Sequence, residues 1–386
     1  MDHLMYTITP LYPVTPTWER VYQSIKSSNE EARRKQSWKA AVDFLYGEFG
    51  KGFFDTCGHN HPISLKLTTN LFQIDDLVEF TEALATLKKM DPDNYSVLLD
   101  KLRPRKKCQA EGIPFSDILR TFSKQGFNVK FLKEIKRHKT PDIELIDTIS
   151  GESIFVEVSQ LKQSSAQQSI QEQHRVLSNT FLFYGYDLPK ACKQLQPLEG
   201  VNMDRTINQI KLIKDQAASS QELVAYEDEF IRMAVAHPNK LHKLDEWCAK
   251  RNIKRNSMEG LPVDYNDTRR LVDNSKIEAE IKQLPADRPG FVYIPVSFLY
   301  FLSMSVPDTV ISIMDQLVNF PHCIGVSLYA PSCGTLLPEG LIEVGNTRRS
   351  IKTVNGITRH LLFIGNSYFN QELSSQTLAK FHNCLI

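Results

Sequence analysis

The 386-residue chain has no C-x-x-C pair, and its seven cysteines (57, 108, 192, 248, 323, 333 and 384) are scattered and odd in number. That excludes a zinc ribbon and argues against a disulfide framework, so a reducing, cytoplasmic setting is expected. Neither charge is in excess: 46 Lys and Arg face 45 Asp and Glu, for a formal net charge of +1. A uniformly basic nucleic-acid coat is therefore excluded, and any attraction to phosphate must come from local patches. The most apolar run, "GFVYIPVSFLYFLSMSV" at 290–306, falls short of a membrane span and holds Pro295 and three serines. It predicts a buried strand followed by a turn, and no membrane partner. The N-terminal "MDHLMYTITPLYPVTPTW" lacks the basic and apolar regions of a signal peptide. P-loop, G-x-G-x-x-G and G-x-S-x-G patterns are missing too. "DTCGHNH" at 55–61 has metal-binding residue types but no partner pair at zinc spacing elsewhere, and reads as a polar loop.

What remains is an ordinary globular composition, 41% hydrophobic and 24% charged, on a chain longer than one core usually serves. Residues 17–107 read as mostly helical, with Ile74, Leu77, Val78, Thr81, Leu84 and Leu87 on one stripe, and "RPRKK" at 103–107 as a linker. "IPFSDILRTFSKQ" at 113–125 predicts a helix with Pro114 in its first turn and Gly126 as its stop. "FNVKFLKEI" alternates as a strand. The stretch 161–261, rich in Gln, Ser, Lys and Glu, reads as a helical insertion with helical patterns near 205–215 and 221–252. Beyond it a helix (269–284), a strand (290–298), a helix (307–320) and a strand (323–330) are expected, then strands near 341–353 and 359–365 and a last helix. The predicted organisation is an N-terminal helical domain (1–108), an α/β core (109–160 and 262–386) and the helical insertion (161–261).

Between the first strands lies "TPDIELIDTISGESIFVEVSQLK" at 140–162. Two apolar-rich runs around Ser150-Gly151 predict a hairpin with strands near 142–147 and 153–159. Pro-Asp pairs also occur at 92–93 and 307–308, but those begin helices, where both residues serve capping. Only Asp142 opens a strand. Pro141 is tolerated there because a first strand residue can forgo its ladder bond, and it biases Thr140 toward extended geometry. Glu-x-Lys occurs at Glu134-Lys136 and Glu280-Lys282, but the second falls in a predicted helix, where residues two apart point nearly opposite ways. In "FVEVS" strand periodicity puts Glu157 and Ser159 on one face. A two-residue turn at Ser150-Gly151 predicts Asp142 opposite Ser159 and Glu144 opposite Glu157. Asp142 and Glu157 are then diagonal neighbours able to share a divalent ion, an arrangement that a one-residue bulge would destroy.

This pattern resembles the PD-(D/E)xK phosphodiesterase superfamily, the restriction-endonuclease-like fold. The matching elements are the helix at 113–125, the strand at 127–134, "TPD" at 140–142, "FVEVS" at 155–159 and the helix and strand within 269–298. The resemblance implies an α/β fold, a mixed sheet flanked by helices, with Asp142 and Glu157 as metal ligands and catalytic residues. Its cofactor is Mg²⁺ or Mn²⁺, which one or two carboxylates can hold and which neutralises phosphate charge and acidifies water. The chain departs from the pattern at Ser159, where the family usually has lysine. Lys162 and Lys282 are the substitutes considered for the catalytic role, Lys139 a weaker one, and Asp117 or Glu111 could supply an acid from the first helix.

Basic groups recur at 103–107, 133–139, 250–255, 269–270 and 348–349. The one at 133–139 directly precedes Asp142, which makes Lys136, Arg137 and Lys139 the expected nucleic-acid contacts, through phosphate and with salt-sensitive affinity. The expected function is a metal-dependent nuclease acting on DNA rather than RNA, with a possible protein partner at the helical regions. The alternatives are a catalytically inactive module of the same fold that binds nucleic acid or a protein, and a helical interaction protein in which the hairpin acids are incidental.

Overall fold

The computed structural model describes residues 17–57, 61–68, 74–103, 112–133, 140–159, 173, 176–178, 180–181, 184–185, 187–198, 200–261, 276–296, 306–333 and 338–385. In chain order, helices α1 (Trp18–Ser27), α2 (Ala32–Phe49), α3 (Phe53–Cys57), α4 (Pro62–Thr68), α5 (Ile74–Met90), α6 (Pro92–Leu102) and α7 (Gly112–Lys124) precede strands β1 (Phe127–Phe131), β2 (Ile143–Asp147) and β3 (Ser153–Val158). Next come β4 (Lys190–Gln194), α8 (Val201–Ser220), β5 (Leu223–Glu227), β6 (Ile231–Ala236), α9 (Leu241–Arg251) and β7 (Met258–Glu259). The chain continues through α10 (Lys276–Ile281), β8 (Gly290–Pro295), α11 (Val306–Leu317), β9 (Cys323–Cys333), β10 (Gly340–Val344), β11 (Thr347–Val354), β12 (Ile357–Gly365) and α12 (Ser375–Asn383). This is a mixed α/β protein whose described residues fall into two compact units: 17–159 with 276–385, and 173–261.

In the large unit eight strands form one mixed sheet in the order β1-β2-β3-β8-β9-β12-β11-β10. The pairs β3/β8 and β8/β9 are parallel and the others antiparallel. Each parallel pair needs a crossover, and α10 and α11 stand between the paired strands in the chain. Alternating burial divides the sheet's two faces. Ile143, Leu145, Ile154, Val156 and Phe291 pack with Trp18, Leu45, Phe80, Leu98 and Phe122, whereas Phe155, Val292, Ile294 and Val326 pack with Ile277, Ile281, Ile313 and Leu317. The helices before residue 103 thus share one core with the sheet and are not a separate domain: α6 and α7 pack on β1, α5 packs on α6 and α7, and α2 on α5. A helix N-cap at Asp91, which accepts from Asn94 N, starts α6 with Pro92 in the first turn. The side chain of Asn94 then pairs with the sheet's edge, donating to Val129 O and accepting from Phe131 N, both at 2.7 Å. It stands in for a neighbouring strand and closes the exposed edge of β1.

Gly126, at φ +82°, ends α7 as expected and turns the chain into β1. The β2–β3 hairpin has a four-residue loop, 148–151, not a two-residue one: Asp147 N donates to Glu152 O, and Gly151 takes φ +74°. Asp147 fixes the loop by accepting from Ile149 N at 2.8 Å and from Lys380 Nζ at 2.7 Å. The chain's last part holds three strands, β10 to β12, where two were expected.

The small unit corrects the reading of a helical insertion. Its four-stranded sheet, β5-β6-β4-β7, carries α8 on one face and α9 on the other. Ile210, Ile213 and Ala217 of α8 meet Cys192, Met233 and Val235, and Leu244, Trp247 and Cys248 of α9 meet Ala191, Ala234 and Ala236. "LVAYEDEFIRMAVA" at 223–236 is a hairpin despite its helix-forming Ala, Glu and Met. Asp228 closes the turn, accepting from the N–H of Phe230 and of Ile231 at 2.8 Å each. Among the described residues no helix is long and apolar enough to cross a membrane.

Candidate active site

The hairpin brings the two predicted acids together through a register two residues away from the expected one. Ile143 pairs with Val156 and Glu144 with Phe155, so Glu144 does not face Glu157, and Asp142 lies beside Glu157 instead of opposite Ser159. The longer turn causes the difference. A shift of two keeps side chains on their faces, whereas a shift of one would have parted them. At the open end of the ladder Asp142 N donates to Val156 O at 3.1 Å, and its carboxylate Oδ2 accepts from Val158 N at 3.1 Å. Glu144 is occupied elsewhere, accepting from Ser153 Oγ at 2.9 Å.

Glu157 is the electrostatic focus. It is 6% exposed, and its Oε2 has no hydrogen-bond partner among the described residues. Burial, then the charges of Asp142 and Glu280, push its carboxyl up from 4.5 to about 9, against the opposing pull of Lys101 and the Asp142 backbone N–H. Glu280, on α10, accepts from Ser159 Oγ at 2.9 Å, Lys276 Nζ at 3.2 Å and Gln283 Nε2 at 2.7 Å. Ser159 thus holds a neighbouring acid where lysine would have carried charge, and its N–H is fixed to Tyr293 O at 3.0 Å.

Among the described residues, the lysine that pairs with Asp142 comes from α6. Lys101 lies seven residues, two helical turns, beyond the Asn94 that anchors α6 to β1. Its Nζ is 3.0 Å from Asp142 Oδ1 and 4.3 Å from the centre of the Phe115 ring, with both ion-pair side chains about five-sixths buried (16% and 15% exposed). Lys282, considered for that role, is half-exposed and pairs with Glu278 one turn back on α10, away from Glu280. Asp117 is also diverted: it is buried in an ion network with Arg120, which in turn donates to Asp76 at 2.7 Å. Lys162, Glu111, Lys136, Arg137 and Lys139 lie outside the described residues.

Sequence reasoning missed Lys101, Lys276, Glu280 in its pairing with Ser159, and Gln283. Lys276 and Gln283 carried a usable signal, since positions 276, 280 and 283 follow helical i, i+4, i+7 spacing. Lys101 carried none, because only folding joins α6 to the hairpin. No family model, curated protein or solved structure matches the chain.

Proposed function

We propose that this chain is a divalent-metal-dependent nuclease of the restriction-endonuclease-like class that hydrolyses phosphodiester bonds in DNA. The observation that carries the reading is the buried, unpartnered Glu157 Oε2 beside Asp142. Two carboxylates pressed together at the end of paired strands, one driven toward its neutral form, are a donor set that a cation would relieve. Among the described residues no group of three or more His, Cys, Asp or Glu gathers to hold a metal. The donor set fits Mg²⁺ or Mn²⁺ all the same, since Mg²⁺ keeps several waters and needs only one or two protein carboxylates. The element order supports the class as well: α7, the antiparallel strands β1, β2 and β3, then α10 and β8 parallel to β3.

Asp142 and Glu157 would hold the cation, which when bound supplies charge neutralisation at phosphate and a more acidic water. Among the described residues Lys101 is the cation best suited to stabilise charge developing on the phosphate, being close to Asp142 and held against Phe115. Ser159, Lys276 and Gln283 orient and screen Glu280 beside Glu157. Backbone contact with nucleic acid by Lys136, Arg137 and Lys139 is part of the same proposal.

One observation favours the alternative, a catalytically inactive module that binds nucleic acid or a protein. Asp142 already has an internal counter-ion in Lys101, and Ser159 removes the usual charge. The decisive experiment incubates the protein with plasmid DNA, single-stranded DNA and RNA in Mg²⁺, Mn²⁺ or chelator, alongside Asp142→Ala and Glu157→Ala. Metal-dependent cleavage lost in both variants is the expected result. Cleavage that survives both would remove these acids from the mechanism, and metal-independent binding without cleavage would select the inactive module.

A further inference from the structure

On the face of the large sheet opposite Glu157 lies a cavity of about 370 Å³, roofed by α7 and the chain's last residues and floored by strands β8, β9, β12 and β11. Its size is that of a small-ligand site, about 300–1,000 Å³. Tyr293 and Tyr329, on neighbouring strands, give it an aromatic wall, their ring centres 5.5 Å apart and their planes inclined by 31°. Beside them Arg359 presents a buried Nη2 with no hydrogen-bond partner among the described residues; Glu79 Oε2 is 4.0 Å away, beyond hydrogen-bond reach. Lys352 is paired across the ladder with Arg359, stands at the rim and is exposed.

The other charges of the lining are already committed. Asp117 is paired with Arg120, and Lys124 with Glu79. Glu79 is shared between Lys124 and Arg359, which it reaches only at 4.0 Å, so with Lys352 the excess charge of the lining is positive, and the adjoining surface is aromatic with Ser350 buried beside it. A guanidinium fork suits a carboxylate or phosphate, and tyrosine rings suit a planar group stacked or edge-on against them. We propose that this cavity is a second binding site, for a small planar anion of nucleoside-monophosphate or aromatic-carboxylate size, recognised by Arg359 and Lys352 at its charged end and by Tyr293 and Tyr329 at its ring.

The test is calorimetric titration of the full chain with AMP, GMP, CMP and UMP, with indole-3-carboxylate, and with adenosine and inorganic phosphate as the two halves of a nucleotide. Saturable binding of at least one planar anion is expected, tighter than either half alone, and the probe that binds identifies whether phosphate or carboxylate is the natural charge. Arg359→Met should weaken it at least tenfold, Lys352→Met severalfold, and Arg359→Lys by an intermediate amount. Lys352 is exposed, so its variant keeps the test intact if Arg359→Met fails to fold. Binding should persist in the Glu157→Ala protein, which separates this site from the nuclease reading. Absence of saturable binding by every planar anion at millimolar concentration, or binding that neither Arg359→Met nor Lys352→Met weakens, overturns the proposal.

Discussion

Glu157→Gln removes a titrating group while keeping its shape, and its effect on stability follows from the crowded carboxyl. Burial and the neighbouring acids raise Glu157 from 4.5 to about 9 in the folded chain. Between those values the unfolded chain has lost the proton and the folded chain keeps it, so stability falls as pH rises. The contribution is complete below the unfolded value and is lost as pH climbs through the folded one. Its slope is at most about 1.4 kcal/mol per pH unit, an upper bound of about 4 kcal/mol from pH 5 to pH 8. Urea denaturation of wild type and Glu157→Gln at pH 5, 6, 7 and 8 reads the difference, in which the other titrating groups largely cancel. Wild type should lose ground steadily to the Gln variant as pH rises. Added Mg²⁺ or Mn²⁺ should restore wild type and leave Glu157→Gln unchanged, because a ligand that binds only the folded chain stabilises it and a carboxylate must shed its proton to bind a metal. Parallel pH profiles for the two proteins would refute the reasoning.

Lys101→Met removes an ion pair that Asp142 makes in a largely buried setting and should cost about 1–3 kcal/mol in chemical denaturation, less than the loss of a fully buried pair. In the plasmid assay it should abolish cleavage, while Lys282→Met, which loses only an exposed ion pair on α10, leaves the rate unchanged. Asn94→Ala removes both bonds that α6 makes to the edge of β1. It should lower stability by about 2–3 kcal/mol and reduce cleavage as far as Lys101 depends on α6 for its position, whereas a rate equal to wild type would detach that lysine from the anchor. Asp228→Ala opens the β5–β6 turn, with an expected loss of about 1–2 kcal/mol in thermal unfolding and no change in cleavage.

The large sheet was legible wherever periodicity and punctuation agreed. The Pro114 and Gly126 boundaries bracket α7, and the apolar alternation of "FNVKF" gives β1, because these signals act within a few residues. Two kinds of feature escaped. Short strands built from Ala, Met and Glu, such as "IRMAVA", hid inside an apparently helical stretch, since their burial against α8 and α9 outweighs intrinsic propensity. Loop length also escaped, because Ser150-Gly151 has the chemistry of a tight turn while Asp147 recruits two more residues through Ile149 N and Lys380.

The site follows the same division. Asp142 and Glu157 lie 15 residues apart on one hairpin, and strand parity alone predicts their shared face; because the register error was two residues, that prediction survives it. Their partners arrive from elsewhere in the chain: Lys101 from 41 positions before Asp142, and Glu280 from 121 positions beyond Ser159. The motif itself points only to Lys162 and Lys282, the lysines close to it in sequence or in Glu-x-Lys form. What decides is which helix packs on which strand end. The Asn94 clamp sets α6 against β1, two helical turns carry that position to Lys101, and a positive charge reaches Asp142 although Ser159 supplies none. If the large unit hydrolyses phosphodiesters, the lysine that matters belongs to the helical layer, and exchanging Ser159 for lysine in the Lys101→Met background should restore cleavage in the plasmid assay. Failure of that exchange, in a protein that still folds and still responds to Mg²⁺ in urea denaturation, would mean that the two positions are not equivalent.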